Sequence, residues 1–207
     1  APALLADESL PAPPRQARSI EKRARLIDAA RALFAEKGYE ATSIGDITSR
    51  AGAAAGAFYL YFSSKRQLLL VMMSELLERL EQLDLRPADR ANAREGLRRF
   101  LAQVFETDLQ SFGVVRAWQE ASLTDAELAK MRAAIERWTE ARILRVFRLL
   151  QRLPNARRGR DLRAFARMMD RHFWSLLARG AGMPRRELQR ELRLAADVIH
   201  HYLFSSS

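Results

Sequence analysis

A chain of 207 residues with 48% hydrophobic content can bury one good core or two small ones, which excludes disorder throughout. A formal charge of +10 and a pI near 10.8 favour polyanionic partners, nucleic acid first and an anionic membrane surface second. The absence of cysteine excludes disulfides and thiol catalysis. The only histidines, His172, His200 and His201, argue against a protein-built zinc site, so no metal or cofactor is expected. No apolar run reaches eighteen residues and no signal-peptide core opens the chain, so a cytoplasmic location is expected.

Residues 1–19 are rich in Ala and Pro and carry Arg15 and Arg18, a composition that reads as a flexible basic N-terminal arm. It is either a solvated tail or an arm that follows a DNA groove. From Ile20 to Lys37 the apolar positions Ile20, Ile27, Ala30, Leu33 and Phe34 recur at helical spacing, and Gly38 ends that helix. Ser43 and Asp46 have capping-box spacing, which predicts a second helix from Ile44 with Ile44, Ile47 and Ala51 inward and Gly52 at its end. A third helix, about Ala54 to Tyr61, should bury Phe58 and Phe62 and turn Ala53, Ala57, Tyr59 and Leu60 outward. Two short helices joined by a tight turn form a helix-turn-helix, whose second helix enters the DNA major groove.

A fourth helix starts near Lys65, capped by Ser63 or Ser64, and its apolar face from Leu68 to Leu80 is wide enough for two neighbours. That width predicts a helix connecting two bodies, over 65–83. Polar and proline-bearing residues from Asp84 to Arg90 mark a boundary, after which only helical periods appear. Phe100 to Leu109 stripe one helix and Gly113 breaks it; Val114, Val115 and Trp118 follow. Thr124 and Glu127 form a possible capping box for a long helix through Leu150, and a basic loop runs from Asn155 to Arg160. The last two helices, roughly Asp161 to Arg179 and Pro184 to Phe204, carry one apolar stripe each, plus a second strip of Met168 with Trp174 on one and Val198 on the other. More apolar surface than a monomer needs points to self-association.

In its pattern over Arg23 to Leu70 the chain resembles the TetR family of bacterial transcriptional repressors. The likeness rests on Ala29-Ala30 with Leu33-Phe34, Gly38-Tyr39, Thr42 before Ile44 and Ile47, Ala51-Gly52, Gly56, Phe58-Tyr59, Tyr61-Phe62, and Ser64-Lys65 with Leu68-Leu69. Gly52 would allow the tight turn and Gly56 a close approach of the recognition helix to its neighbour. Beyond Leu70 the likeness is one of layout. It implies an all-α fold: a three-helix helix-turn-helix DNA-binding domain over 20–64, joined by the connecting helix to a helical ligand-binding and dimerisation domain over 65–207.

By that resemblance Thr42, Ser43, Tyr61 and Lys65 would contact phosphates, while Ala57, Tyr59 and Leu60 would face base edges. Positions 54 and 57, often Ser and Thr in the family, are both Ala here, so hydrogen-bonded base readout should be sparse. Ser49 and Arg50 could add to it. The resemblance also implies a ligand-responsive repressor that binds a palindromic operator as a homodimer. An unidentified small-molecule effector would sit among Trp118, Met131, Trp138, Arg142, His172 and Trp174. A four-helix dimer seam is expected from Phe165, Met169, Phe173, Leu176, Leu188, Leu192, Ala195, Ile199 and Tyr202. The rival readings are an enzyme, for which no nucleophile–base pair, phosphate loop or metal spacing is visible, and a less specific architectural nucleic-acid-binding protein, which the Ala-rich recognition helix and the charge both favour.

Overall fold

The computed structural model describes residues 1–85, 92–180 and 182–204, so most of the polar boundary read at 84–90 lies outside the described residues. Among the described residues there are eight α-helices, one 3₁₀ helix and a lone β-bridge between Ala156 and Phe204. The chain divides into two units. The first comprises 1–78 and 111–133, the second 79–110 and 134–207. The division therefore differs from the expected boundary at 64/65: the first unit takes in most of the connecting helix and a further helix from the middle of the chain.

In the first unit, α1 (Ala17–Lys37) buries Leu26, Ile27, Ala30, Leu33 and Phe34, and α2 (Ile44–Arg50) buries Ile47. The third element is not an α-helix but a 3₁₀ helix over Ala55–Leu60. Its entry residue, Ala54, has no side-chain oxygen with which to cap an orphan N–H, and six residues without a cap give an α-helix little to propagate from. Gly56 was expected to permit a close approach, yet a side chain there would meet nothing within 4 Å. Phe58 and Phe62 are fully buried with ring centroids 5.6 Å apart, and they anchor the segment.

The start of α3 (Lys65–Glu81) is fixed by a reciprocal cap, in which Gln67 N–H donates to Ser64 Oγ at 3.0 Å while Ser63 N–H donates to Gln67 Oε1 at 2.9 Å. Residues 1–16 are not free of this unit, as a flexible arm would be. Leu4 is buried, and the Glu8 carboxylate accepts from Arg66 Nη1 (2.8 Å) and Gln67 Nε2 (3.1 Å).

The helix that joins this unit from further along is α5 (Phe112–Thr124), which follows α4 (Ala93–Gln110) of the second unit in sequence. Gly113 does not break a helix. It lies in the first turn of α5 against α1, where any side chain would overlap the Arg31 carbonyl. The next helix, α6 (Ala126–Leu150), is capped by Asp125 rather than by the expected Thr124: Asp125 Oδ1 accepts Glu127 N–H at 2.9 Å and Leu128 N–H at 3.0 Å.

In the second unit α4 packs with α7 (Leu162–Gly180) and α8 (Arg185–Leu203), and Asp197 on α8 accepts from Arg94 (2.9 Å) and Arg98 (3.0 Å) on α4. Phe147, Phe165 and Tyr202 stack in sequence, with centroids 5.2 and 3.9 Å apart. This core takes up most of the stripe expected at the dimer seam. Phe165, Met169, Leu176, Leu188, Leu192, Ala195 and Ile199 are buried inside their own unit, and Phe173 and Tyr202 pack against them. Of the stripe, Phe173 and Tyr202 alone keep partial exposure. The apolar side chains that α7 and α8 leave exposed are Met168, Leu194 and Val198.

Asp170 shares the inner face of α7 with Phe165, Ala166 and Met169, and burial pushes its carboxyl up to about 6, against the hydrogen bonds from Thr139 and Trp174. A carboxyl raised in the folded state stabilises while it stays protonated, and that stability is lost as pH rises through the folded value. Through this group the protein should be about 1–2 kcal/mol less stable at pH 7.5 than at pH 5. Denaturant titrations of Asp170→Asn should lack this component and show a higher midpoint than the parent at pH 7.5.

Candidate nucleic-acid interface

The helix-turn-helix is held from both ends by short polar contacts. At its entry Ser43 Oγ accepts Asp46 N–H (3.0 Å) and Ser43 N–H donates to Asp46 Oδ2 (2.8 Å), so the capping box expected from spacing is formed. Lys37 Nζ also donates to Asp46 Oδ2 at 2.8 Å, and with the Ser43 contacts it holds the Asp46 carboxyl well below the usual carboxylate range. At the turn, Gly52 has φ +62°, a left-handed conformation that favours glycine.

Behind this element sits a carboxylate that the sequence reading did not single out. Glu120 on α5 accepts Tyr39 N–H at Oε2 (2.8 Å) and Glu40 N–H at Oε1 (3.0 Å). Gly38 makes room for it: its φ is +86°, and a Cβ there would lie 2.5 Å from Glu120 Oε2. Arg116, one turn earlier, donates to the Ala35 carbonyl at 2.6 Å and so caps the end of α1. Beyond α5, Asp125 accepts from Arg66 Nε at 3.0 Å. The signal in the sequence was the spacing of Gly113, Arg116 and Glu120, which recur every three or four residues on one helical face.

The expected DNA contacts fall into two groups. Thr42 is buried and its hydroxyl donates to the Gly38 carbonyl at 2.6 Å, so its side chain braces the loop. Lys65 is likewise turned inward. Its ammonium donates to the carbonyls of Tyr39 (2.7 Å) and Thr42 (2.9 Å) and lies 4.2 Å from the centroid of the Tyr39 ring. Burial lowers the Lys65 pKa, while Glu40 and Glu120 oppose the shift. The same enclosure pushes the Tyr39 hydroxyl up to about 12.

Ser43, Tyr59 and Leu60 are exposed, the last two at 58% and 69%, and Ala57 and Tyr61 are half-buried. Tyr61 lines a groove against Pro13, Pro14 and Ile20. Ser49 is exposed, whereas Arg50 is paired with Glu36.

The six residues expected around an effector are not brought together by either groove described for the two units. Trp118 and Met131 belong to the first unit, and Trp138, Arg142, His172 and Trp174 to the second. The buried indole N–H of Trp118 has no acceptor among the described residues. Arg142 lies over the Trp138 ring at 4.8 Å and donates to the Leu83 carbonyl at 2.9 Å, which gives it a structural role. His172 packs beside Phe173. Asp170, close to Trp174 and Thr139, is a polar group in that region that the sequence reading passed over.

Comparison with known proteins agrees with this geometry. Residues 26–72 match the family described as bacterial regulatory proteins, tetR family. Over 84 residues the chain is 36% identical to the HTH-type transcriptional repressor KstR of Rhodococcus jostii, a stretch covering 41% of this chain and 39% of that protein. It is 34% identical over 85 residues to the fatty acid metabolism regulator protein of Bacillus subtilis, covering 39% of this chain and 42% of that one. Over 50 residues, 24% of this chain, it is 52% identical to the HTH-type regulator YerO of the same organism, a protein of which it spans only 17%. The chain thus spans well under half the length of the curated relatives it matches. Among solved structures, the SmeT–triclosan complex aligns with a TM-score of 0.68 at 25% identity, covering 90% of this chain and 93% of that one. Residues 26–72 thus carry the helix-turn-helix of the tetR family of bacterial regulatory proteins, on an all-helical fold similar to that of SmeT.

Proposed function

We propose that this protein is a transcriptional regulator, most simply a repressor, that binds a palindromic operator as a homodimer and releases it in response to a small molecule. The observation that carries this reading is the pair Tyr59 and Leu60, two large side chains left exposed on a segment otherwise anchored by Phe58 and Phe62. Exposed side chains on a rigidly held helix-turn-helix segment are what base readout requires. With alanine at 54 and 57, the contacts available are apolar contact with thymine methyls and the hydroxyl of Tyr59. Ser43 and Tyr61 remain for phosphates, and Lys65 acts on DNA indirectly by holding the loop 39–42. The operator lies on cytoplasmic DNA, and no helix among the described residues is long and apolar enough to cross a membrane.

The dimer seam in this reading is the exposed strip of Met168, Leu194 and Val198, which would hold two recognition segments about 34–36 Å apart or a multiple of that. The effector site would use the unsatisfied Trp118 N–H, which favours a ligand carrying a hydrogen-bond acceptor. SmeT, a relative in fold, binds triclosan; the effector here is a different question. Its signal would reach the DNA-binding segment through α5 and the Glu120 carboxylate.

Selection of bound sequences from a random pool, followed by anisotropy titration, tests the operator reading. Tyr59→Ala with Leu60→Ala should reduce the preference for the selected site over random DNA by at least tenfold, and a parental preference already below about tenfold would favour an architectural role instead. Lys65→Ala should lower thermal stability and weaken all binding while leaving the salt slope unchanged. A slope lower by about one unit would return Lys65 to a phosphate.

Glu120→Ala strips two backbone N–H groups of their charged acceptor. It should cost about 2–3 kcal/mol of stability by denaturant titration, with Glu120→Gln costing less. Val198→Asp should convert a dimer into a monomer in sedimentation at micromolar concentration and weaken operator binding at least tenfold, because half-sites are then filled independently.

A further inference from the structure

The net positive charge of this protein does not reside in its DNA-binding unit. The segments 1–78 and 111–133 together hold thirteen Lys and Arg against twelve Asp and Glu. Six of those thirteen cations are held in ion pairs: Arg23 with Glu75, Arg31 with Asp28, Lys37 with Asp46, Arg50 with Glu36, Arg66 with Glu8 and Asp125, and Lys130 with Glu127. By contrast residues 141–171 hold ten arginines, no lysine and two aspartates, which is +8 of the chain's formal +10. One of those aspartates, Asp170, is buried, and the other, Asp161, accepts the Ala164 N–H at the start of α7.

These arginines meet at one end of the second unit. Arg148 lies in the last turn of α6 and Arg152 just past its end, Arg157, Arg158 and Arg160 in the loop, and Arg163 and Arg167 on the first turns of α7. The Phe147 and Phe165 rings stack at 5.2 Å, which sets the end of α6 beside the start of α7. The loop between is fixed by Arg157 N–H donating to the Leu203 carbonyl at 2.7 Å and by the Ala156–Phe204 bridge. Arg148, Arg152, Arg158, Arg160, Arg163 and Arg167 are exposed, and among the described residues none is in an ion pair with a carboxylate. Arg160 lies over the Tyr202 ring.

We propose that this arginine-lined end of the second unit is a sequence-independent binding surface for the phosphate backbone of duplex DNA, separate from the helix-turn-helix. The all-arginine composition suits phosphate, whose oxygens the guanidinium fork meets two at a time. A protein partner would need apolar anchors at the centre of its interface, and a membrane would need side chains to insert. Of the large apolar side chains exposed among the described residues, Met168 alone falls within 141–171, and it belongs with Val198 to the seam proposed above. A polyanion of regular charge needs neither. Such a surface lets the protein hold DNA beside its operator, or a second duplex, without reading it.

Salt titrations of binding to a duplex of arbitrary sequence test this with the quadruple variant Arg148→Gln, Arg152→Gln, Arg158→Gln, Arg163→Gln and its all-lysine counterpart. The glutamine variant should bind at least tenfold more weakly and its log–log salt slope should be lower by about 2–4 units, while the lysine variant retains most of both. An unchanged slope and affinity in the glutamine variant would overturn the proposal and leave a solvated surface only. Arginine-dependent binding to phosphatidylserine-containing vesicles, with no arginine-dependent binding to the duplex, would overturn it in favour of a membrane. The preference of the parent for a selected operator over random DNA reports on the helix-turn-helix separately, so either reading can fail alone.

Discussion

A single carboxylate holds the DNA-binding element in place from behind. Glu120 accepts two consecutive backbone N–H groups, those of Tyr39 and Glu40, at the point where the chain leaves α1 for α2. Two requirements follow from that contact. Position 38 must be glycine, because its φ is positive and a Cβ would collide with the carboxylate. α5 must also approach α1 closely enough for the carboxylate to reach, which Gly113 permits by lying against the Arg31 carbonyl. The carbonyls on the other side of the loop, those of Tyr39 and Thr42, accept from the Lys65 ammonium, and Tyr39 also accepts the Thr42 N–H. One anion on the N–H groups and one cation on the C=O groups thus satisfy an irregular segment that would otherwise leave polar backbone unpaired. The loop is therefore tied to α5 and α3 at once, and a displacement of either helix must be felt at Ser43, where α2 begins.

This arrangement separates the work of positioning from the work of reading. Thr42 and Lys65, the residues of the TetR pattern expected at phosphates, brace the loop, and the large side chains left exposed on the segment are Tyr59 and Leu60. The 3₁₀ form of their segment belongs to the same trade. With Ala54 in place of a capping hydroxyl and no polar side chain from Ala53 to Ala57, neither the helix start nor a base edge receives a side-chain hydrogen bond. Sequence preference must then lean on apolar complementarity and on the shape and deformability of the DNA.

Much of this was legible in the sequence where the signal is local. The Ser43–Asp46 box, the buried Phe58 and Phe62, and the outward Tyr59 and Leu60 all follow from spacing, because each is decided within one or two turns. What was not legible depended on partners far away in the chain. The Glu8 contacts that pin residues 1–16, and the capture of Lys65 by carbonyls twenty or more residues earlier, have no periodic signature. The use of the apolar stripes on α7 and α8 was hidden for a related reason. Two apolar stripes on α7 and α8 are equivalent to periodicity, and only packing shows that the richer stripe, through Phe165 and Ile199, is used up by the unit's own core. Gly113 was misread because a glycine that ends a helix and a glycine that admits a neighbouring backbone look the same in one dimension.

Charge gives the sharpest instance of that gap between composition and structure. A total of +10 on a helix-turn-helix protein suggests a basic DNA-binding face, yet the unit that carries the helix-turn-helix is close to neutral and six of its thirteen cations are held in internal pairs. Internal pairing is what gives that unit its geometry: freeing Lys37 for a phosphate would unpin Asp46, and with it the cap of α2. A protein built this way gains precision at the reading segment and loses long-range attraction there. The exposed arginines of residues 141–171 sit on a different scaffold, where no cap or turn depends on their guanidinium groups, so they are free to attract a polyanion without loosening the element that reads it.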